Sequence, residues 1–171
     1  SGASYVITSD GGADALTIVT DATSTDLGSL SFATGFVAGS DTLTVDGSNI
    51  ALAQTITGSS FRDAITTAGG DDNITGGAGI DVITGAGGND TINLAETVDA
   101  ADKVVFGTHA ANGSDQINGH QANDTYNVAA LGDGTIAQAA TAVTSAATQR
   151  TLTDDDSVVI TTNGAAADIT T

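Results

Sequence analysis

The sequence predicts an all-β protein: a parallel β-roll, or β-solenoid, of nonapeptide repeats flanked by β-rich capping segments. Three observations carry the prediction. Residues 58–93 divide into GSSFRDAIT, TAGGDDNIT, GGAGIDVIT and GAGGNDTIN, which places Asp63, Asp72, Asp81 and Asp90 nine apart with Ile65, Ile74, Ile83 and Ile92 behind them. A period kept over several columns marks a repeat architecture. The apolar residues are small or β-branched: the 171-residue chain is 40% hydrophobic but has no Trp, no Met, two Tyr and four Phe. Such a set suits thin stacked sheets better than a globular interior. The chain also has 22 glycines and no proline, so Gly and Asp must make its turns.

Taken in order, residues 1–57 read as an N-terminal β-rich segment that packs on the roll. Tyr5–Thr8, Leu16–Val19 and Leu43–Val45 are short β-favouring runs bounded by Gly, Asp and Ser. SDGGADALT, with Gly12, Asp14, Leu16 and Thr17, and AGSDTLT, with Gly39, Asp41, Leu43 and Thr44, are partial copies of the repeat. Ile56 and Thr57 keep the register, although Gln54 stands in the aspartate column.

Residues 58–93 form the roll, and each block divides into six turn residues and three strand residues. The apolar eighth position points inward, and positions seven and nine point outward by the period-two rule. Residues 94–171 read as a C-terminal β-rich segment. Register breaks after Asn93, so 94–109 is expected to be an insertion containing a strand at Lys103–Phe106. A short second block resumes at 110–127, where Asp115 and Asp124 are nine apart and Ala122 replaces a column glycine. The Ala-rich stretch 133–149 is expected to be helical. Asp154–Asp156 reads as a turn, Val158–Thr161 as a closing strand, and Ile169 as part of one more. Four strict blocks are too few for a free-standing solenoid, so the three segments are expected to form one continuous domain.

Twenty-one acidic residues against three basic ones give a net charge of −18. That disfavours nucleic acid or an anionic membrane as a partner, and it asks for counter-ions. No apolar run is long enough to span a bilayer. Absence of cysteine excludes disulfides and thiolate metal sites. The chain opens Ser1-Gly2 with no basic-then-apolar leader, as expected of a processed product or a fragment.

The repeat carries its own chemistry. Glycine permits the positive φ that turns carbonyls inward, and aspartate supplies a short, hard anionic oxygen. Calcium takes six to eight oxygens at roughly 2.3–2.6 Å, a shell that turn carbonyls and neighbouring carboxylates can fill. The expected Ca2+ site residues are Asp63, Gly70, Asp72, Gly77, Gly79, Asp81, Gly88 and Asp90, with Asn112, Gly113, Asp115 and Asp124 in the second block. Several ions are expected. A flexible linker is the bland alternative, but linkers do not place isoleucine at every ninth residue.

These blocks resemble the nonapeptides of RTX (repeats-in-toxin) proteins. The segment AADKVVFGTHAANGSDQINGHQANDTYNV (101–129) is similar to the stretch that follows such repeats in bacterial surface-layer proteins exported by type I secretion. His120 stands where that pattern has phenylalanine, and no type I secretion signal closes the chain, again as expected of a trimmed form. The resemblance implies two nonapeptides per coil, with Asp63 over Asp81 on one edge and Asp72 over Asp90 on the other. Like charges roughly 5 Å apart would then cost about 3 kcal/mol per pair at an effective dielectric near 20. That is a large fraction of a domain stability of about 5–15 kcal/mol, so folding is expected to require calcium.

The resemblance further implies an extracellular, cell-surface structural protein of a bacterium that partners itself in a lattice or filament, with cell-surface polysaccharide a further candidate partner. The alternative is a calcium-binding secretion module of a larger exoenzyme, toxin or adhesin. No catalytic residues are expected: GxSxG is absent, and His109 and His120 read as exposed or contact residues. The threonine row 57, 66, 75 and 84 is too short for an ice-binding face, and Tyr126 falls in the inward column.

Overall fold

The computed structural model describes residues 12–32, 35–37, 40–107 and 113–127, together with the backbone of strands 149–153, 157–162 and 168–170. The strand expected at 5–8, Gly39, His109, Asn112 and the Asp154–Asp156 turn lie outside these residues. So does 133–148 of the expected helix, while Gln149 opens a strand.

A glycine turn followed by Asp-x-apolar gives three to five extended residues, after which the chain turns again. Strands therefore fall alternately into two sheets. One holds β1 (Ala15–Val19), β3 (Thr42–Asp46), β5 (Arg62–Thr66), β7 (Val82–Thr84), β9 (Lys103–Val105), β11 (Thr125–Asn127) and β14 (Asp168–Thr170), in that spatial order. The other holds β2 (Ser24–Asp26), β4 (Thr55–Thr57), β6 (Asn73–Thr75), β8 (Thr91–Asn93), β10 (Gln116–His120), β13 (Ser157–Thr162) and β12 (Gln149–Thr153). Every pairing is parallel except β12–β13 at the end of the second sheet. The protein is an all-β, parallel β-solenoid. The strands expected at Val158–Thr161 and Ile169 are β13 and β14.

The core is a single layer of inward side chains. Val45, Ile65, Ile83, Val104 and Tyr126 stack along the first sheet, and Ile56, Ile74, Ile92 and Ile117 along the second. All nine are at most 1% exposed. Burying each isoleucine contributes roughly 1.5–3 kcal/mol, which makes this column the main apolar support of the coil. The outward threonines divide between the sheets. Thr66 lies beside Thr84 in one, and Thr75 between Thr57 and Asn93 in the other.

Two expectations are corrected. Register does not break at 94–109: β9 pairs with β7 on one side and β11 on the other, with Val104 in the isoleucine column. Only the turns lengthen. Parallel backbone bonds on either side fix the rung, so extra turn residues bulge at the edge without displacing the strand. The upstream copies, by contrast, are shifted. Leu43 lies opposite Asp63, and Val45 rather than Leu43 sits over Ile65. Asp14 and Asp41 match one another but stand two residues out of step with the main column.

Candidate metal centre

Each coil has two turns, so the acidic column splits between two edges. The first edge carries Asp63, Asp81, Asp102 and Asp124, the residues just before or at the start of β5, β7, β9 and β11. The second carries Gln54, Asp72, Asp90 and Asp115, ahead of β4, β6, β8 and β10. One link repeats along both. Except at Asp63, Oδ1 of each aspartate accepts the backbone N–H of the column residue one coil earlier: Asp63 N to Asp81 at 2.9 Å, Asp81 N to Asp102 at 2.9 Å, and Asp102 N to Asp124 at 3.1 Å. On the second edge the donors are Gln54 N to Asp72 at 2.7 Å, Asp72 N to Asp90 at 2.9 Å, and Asp90 N to Asp115 at 3.0 Å. Asp14 N makes the same link to Asp41 at 2.9 Å.

The sequence separations show why Asp102 escaped the sequence reading. Linked residues are 18 apart in the strict blocks, but 21, 25 and 22 apart across the lengthened turns. A usable signal was present: Asp102-Lys103-Val104 repeats the Asp-x-apolar run of Asp81-Val82-Ile83. Glu96, also missed, reaches from the lengthened turn to the N–H groups of Ala100 and of Gly79 (3.2 Å).

The second carboxylate oxygen separates the turns into two kinds. At Asp72, Asp81 and Asp90, Oδ2 is buried and meets no hydrogen-bond donor; the same holds for Oε1 of Gln54 and of Gln121. The Thr67 hydroxyl, near Asp72, donates to Gly85 O at 2.8 Å instead. Elsewhere the protein supplies the donor. Asp63 Oδ2 accepts Ser59 N (2.6 Å) and Ser59 Oγ (3.0 Å), Asp41 Oδ2 accepts Val37 N (2.6 Å), and Asp124 Oδ2 accepts Gln121 N (2.7 Å). Phe61, in the column where the other blocks place glycine, packs on Phe32 and Phe36 with ring centroids 5.0 and 5.3 Å away. An aromatic cluster thus lies beside the Asp63 turn.

Glycine serves this site in two ways. Gly70, Gly77, Gly79, Gly88 and Gly113 all have φ between 74° and 123°, the left-handed region. Gly76 and Gly85 instead make room: a Cβ on Gly76 would come 2.7 Å from Asp81 Oδ2, and one on Gly85 would collide with Asp90 Oδ2. Ala86 stands at the position of Gly77 with φ 65°, a strained conformation for a residue with a Cβ.

Burial dominates the electrostatics. It pushes Asp63 up to about 6, Asp90 and Asp102 to about 7, and Asp81 to about 9, and it raises Asp72 and Asp124. Neighbouring carboxylates add to the rise at Asp81, Asp90 and Asp102, but desolvation is the larger cause at each. The cost of burying these carboxylates is therefore chiefly lost hydration, with repulsion second.

His120, expected at the surface, is fully buried. Its Nδ1 lies 2.6 Å from Tyr126 Oη and 3.6 Å from Asp124 Oδ2. The inward Tyr126 ring leaves a polar tip in the core, and the imidazole pairs with it. At the turn into β11, protein groups crowd Asp124, in contrast to Asp81 and Asp90.

Buried, donor-less carboxylate oxygens set in glycine cradles fit a hard divalent cation. Among the described residues no point gathers three acidic or imidazole side chains, so a bound ion would draw largely on turn carbonyls, as calcium allows and zinc does not. Asp81 on the first edge, and Asp72 and Asp90 on the second, would hold separate ions, with carbonyls of the glycine turns completing each shell. These features define a metal-cradling β-roll. The family model for the RTX calcium-binding nonapeptide repeat (4 copies) matches residues 53–83, 66–96 and 109–130. The chain carries RTX calcium-binding repeats and folds them as a β-roll, and proteins with such repeats are typically secreted. Comparisons with curated proteins and with solved structures gave no match.

Proposed function

We propose that the chain is an extracellular structural protein, a subunit of a bacterial surface layer or related self-assembling array, folded by calcium and without catalytic activity of its own. The row of buried carboxylates with donor-less oxygens along stacked coils carries the calcium-dependent part of this reading. Desolvating these groups costs free energy that only a proton or a cation offsets, so ion binding and folding become one event. Outside the cell, where calcium is plentiful, the roll is stable; without calcium the same fold is much weaker. The assembly part is supported by the likeness of 101–129 to surface-layer segments and by two broad sheets with open outer faces.

The test is electron microscopy of the chain with millimolar calcium and with chelator. Sheets or filaments that form only with calcium support the assembly reading. A chain that folds in calcium but remains monomeric at every concentration favours a calcium-binding module of a larger secreted protein, to which the RTX repeats apply equally.

A further inference from the structure

We infer that Gln54 is a metal ligand, a neutral side chain that extends the calcium ladder of the second edge by one turn beyond its aspartates. The inference rests on the calcium reading of the repeats. It goes beyond that reading because the consensus asks for aspartate here.

Gln54 occupies the aspartate column in three dimensions as well as in sequence. It immediately precedes β4, and Thr55 pairs with Asn73, the residue after Asp72. Its backbone N–H donates to Asp72 Oδ1 at 2.7 Å, the link each column residue makes to the next coil. Its side chain is 1% exposed. Nε2 donates to Gly47 O at 3.0 Å and to Ile50 O at 3.3 Å, both within its own turn. Two carbonyls facing the amide accept only from nitrogen, so they fix which end of the amide points where. Oε1 is thereby directed away from them, buried and without a donor.

That oxygen sits where the aspartates place theirs. A Cβ on Gly47 would collide with Gln54 Oε1, just as a Cβ on Gly85 would collide with Asp90 Oδ2. Gln54 Oε1, Asp72 Oδ2 and Asp90 Oδ2 thus belong to successive turns of one edge, and each is buried without a donor. A buried amide oxygen left unpaired is costly, and calcium accepts Asn and Gln carbonyls as ligands. A cation between the 47–54 and 67–72 turns satisfies Gln54 Oε1 and Asp72 Oδ2 together. With one carboxylate fewer, this position binds more weakly than its neighbours, since charge count tunes calcium affinity. Gln121 Oε1 is not equivalent: that residue is partly exposed and stands three positions before Asp124.

The experiment counts bound calcium by equilibrium dialysis on the full chain, with recovery of the native far-ultraviolet circular dichroism as the check on folding. Gln54→Met and Gln54→Glu both lose the Nε2 contacts, and they differ in whether a hard oxygen remains. The expected result is one ion fewer in Gln54→Met and the native number in Gln54→Glu. A native count in Gln54→Met overturns the inference. A loss in both variants also overturns it, by tracing the effect to the Nε2 contacts. Gln54→Leu repeats the measurement if the methionine variant does not refold. A native chain that binds no calcium would instead overturn the functional reading itself, so the two failures are distinguishable.

Discussion

Replacing Asp81 by asparagine separates a metal ligand from a structural carboxyl, because the two roles predict opposite effects without calcium. Asp81 is 1% exposed, its Oδ1 accepts Asp63 N–H at 2.9 Å, and its Oδ2 has no donor. Asparagine keeps the accepting oxygen and the shape. Burial raises the Asp81 carboxyl to about 9, against about 3.9 in the unfolded chain. At pH 7.5 the metal-free fold must therefore take up a proton there, which costs up to about 5 kcal/mol at roughly 1.4 kcal/mol per pH unit. The substitution would remove that cost and add an amide N–H in place of the bare oxygen, a penalty of about 1–3 kcal/mol if it stays unpaired. Asp81→Asn should thus stabilise the chain in chelator by about 2–4 kcal/mol. It should also remove one ion's contribution in calcium, about 2.7 kcal/mol when free calcium is a hundredfold above the dissociation constant. Urea unfolding followed by circular dichroism, in calcium and in chelator, measures both quantities. Equal destabilisation of Asp81→Asn under the two conditions would refute the reasoning, because the carboxylate would then matter for packing alone.

Other outcomes follow from the same geometry. Asp63, Asp72, Asp81, Asp90, Asp102 and Asp124 have folded pKa values above the unfolded ones, so the metal-free fold binds more protons and is favoured at low pH. Its stability should fall as pH rises from about 4 through about 6 (Asp63), about 7 (Asp90, Asp102) and about 9 (Asp81). In chelator the β signal at pH 5 should exceed that at pH 9, and calcium binding at neutral pH should release protons, seen as buffer-dependent heats in calorimetry. Gly85→Ala drives a Cβ into Asp90 Oδ2 and should weaken calcium binding by about tenfold or more, roughly 1.4 kcal/mol, in dialysis. Ala86→Gly relieves a positive φ of 65° and should raise stability by up to about 1 kcal/mol in urea titration. Tyr126→Phe removes the 2.6 Å contact to His120 Nδ1 and should cost about 1–3 kcal/mol, alike in calcium and in chelator.

The Asp-x-Ile column by itself determined the repeat and its hard-oxygen donors by local rules: glycine makes the turn, and the next residues alternate in and out. The period alone does not say how many repeats close one coil. Asp63 over Asp81 and Asp72 over Asp90 were legible because the resemblance to RTX nonapeptides implies two per coil. Tertiary structure decided what a linear count cannot reach. Asp102 joined the ladder because strand pairing tolerates a longer turn, so the fold counts rungs where the sequence counts residues. His120 went inside because Tyr126 carries a hydroxyl into the core that needs a partner there. Above all, equivalent columns are not equivalent sites. Asp63 and Asp124 meet donors from their own turns, whereas Asp72, Asp81, Asp90 and the unorthodox Gln54 end in buried oxygens with none. Which oxygens are left for an ion depends on how each turn closes over its own side chain. That closure depends on the backbone of the turn, which the repeat pattern does not encode.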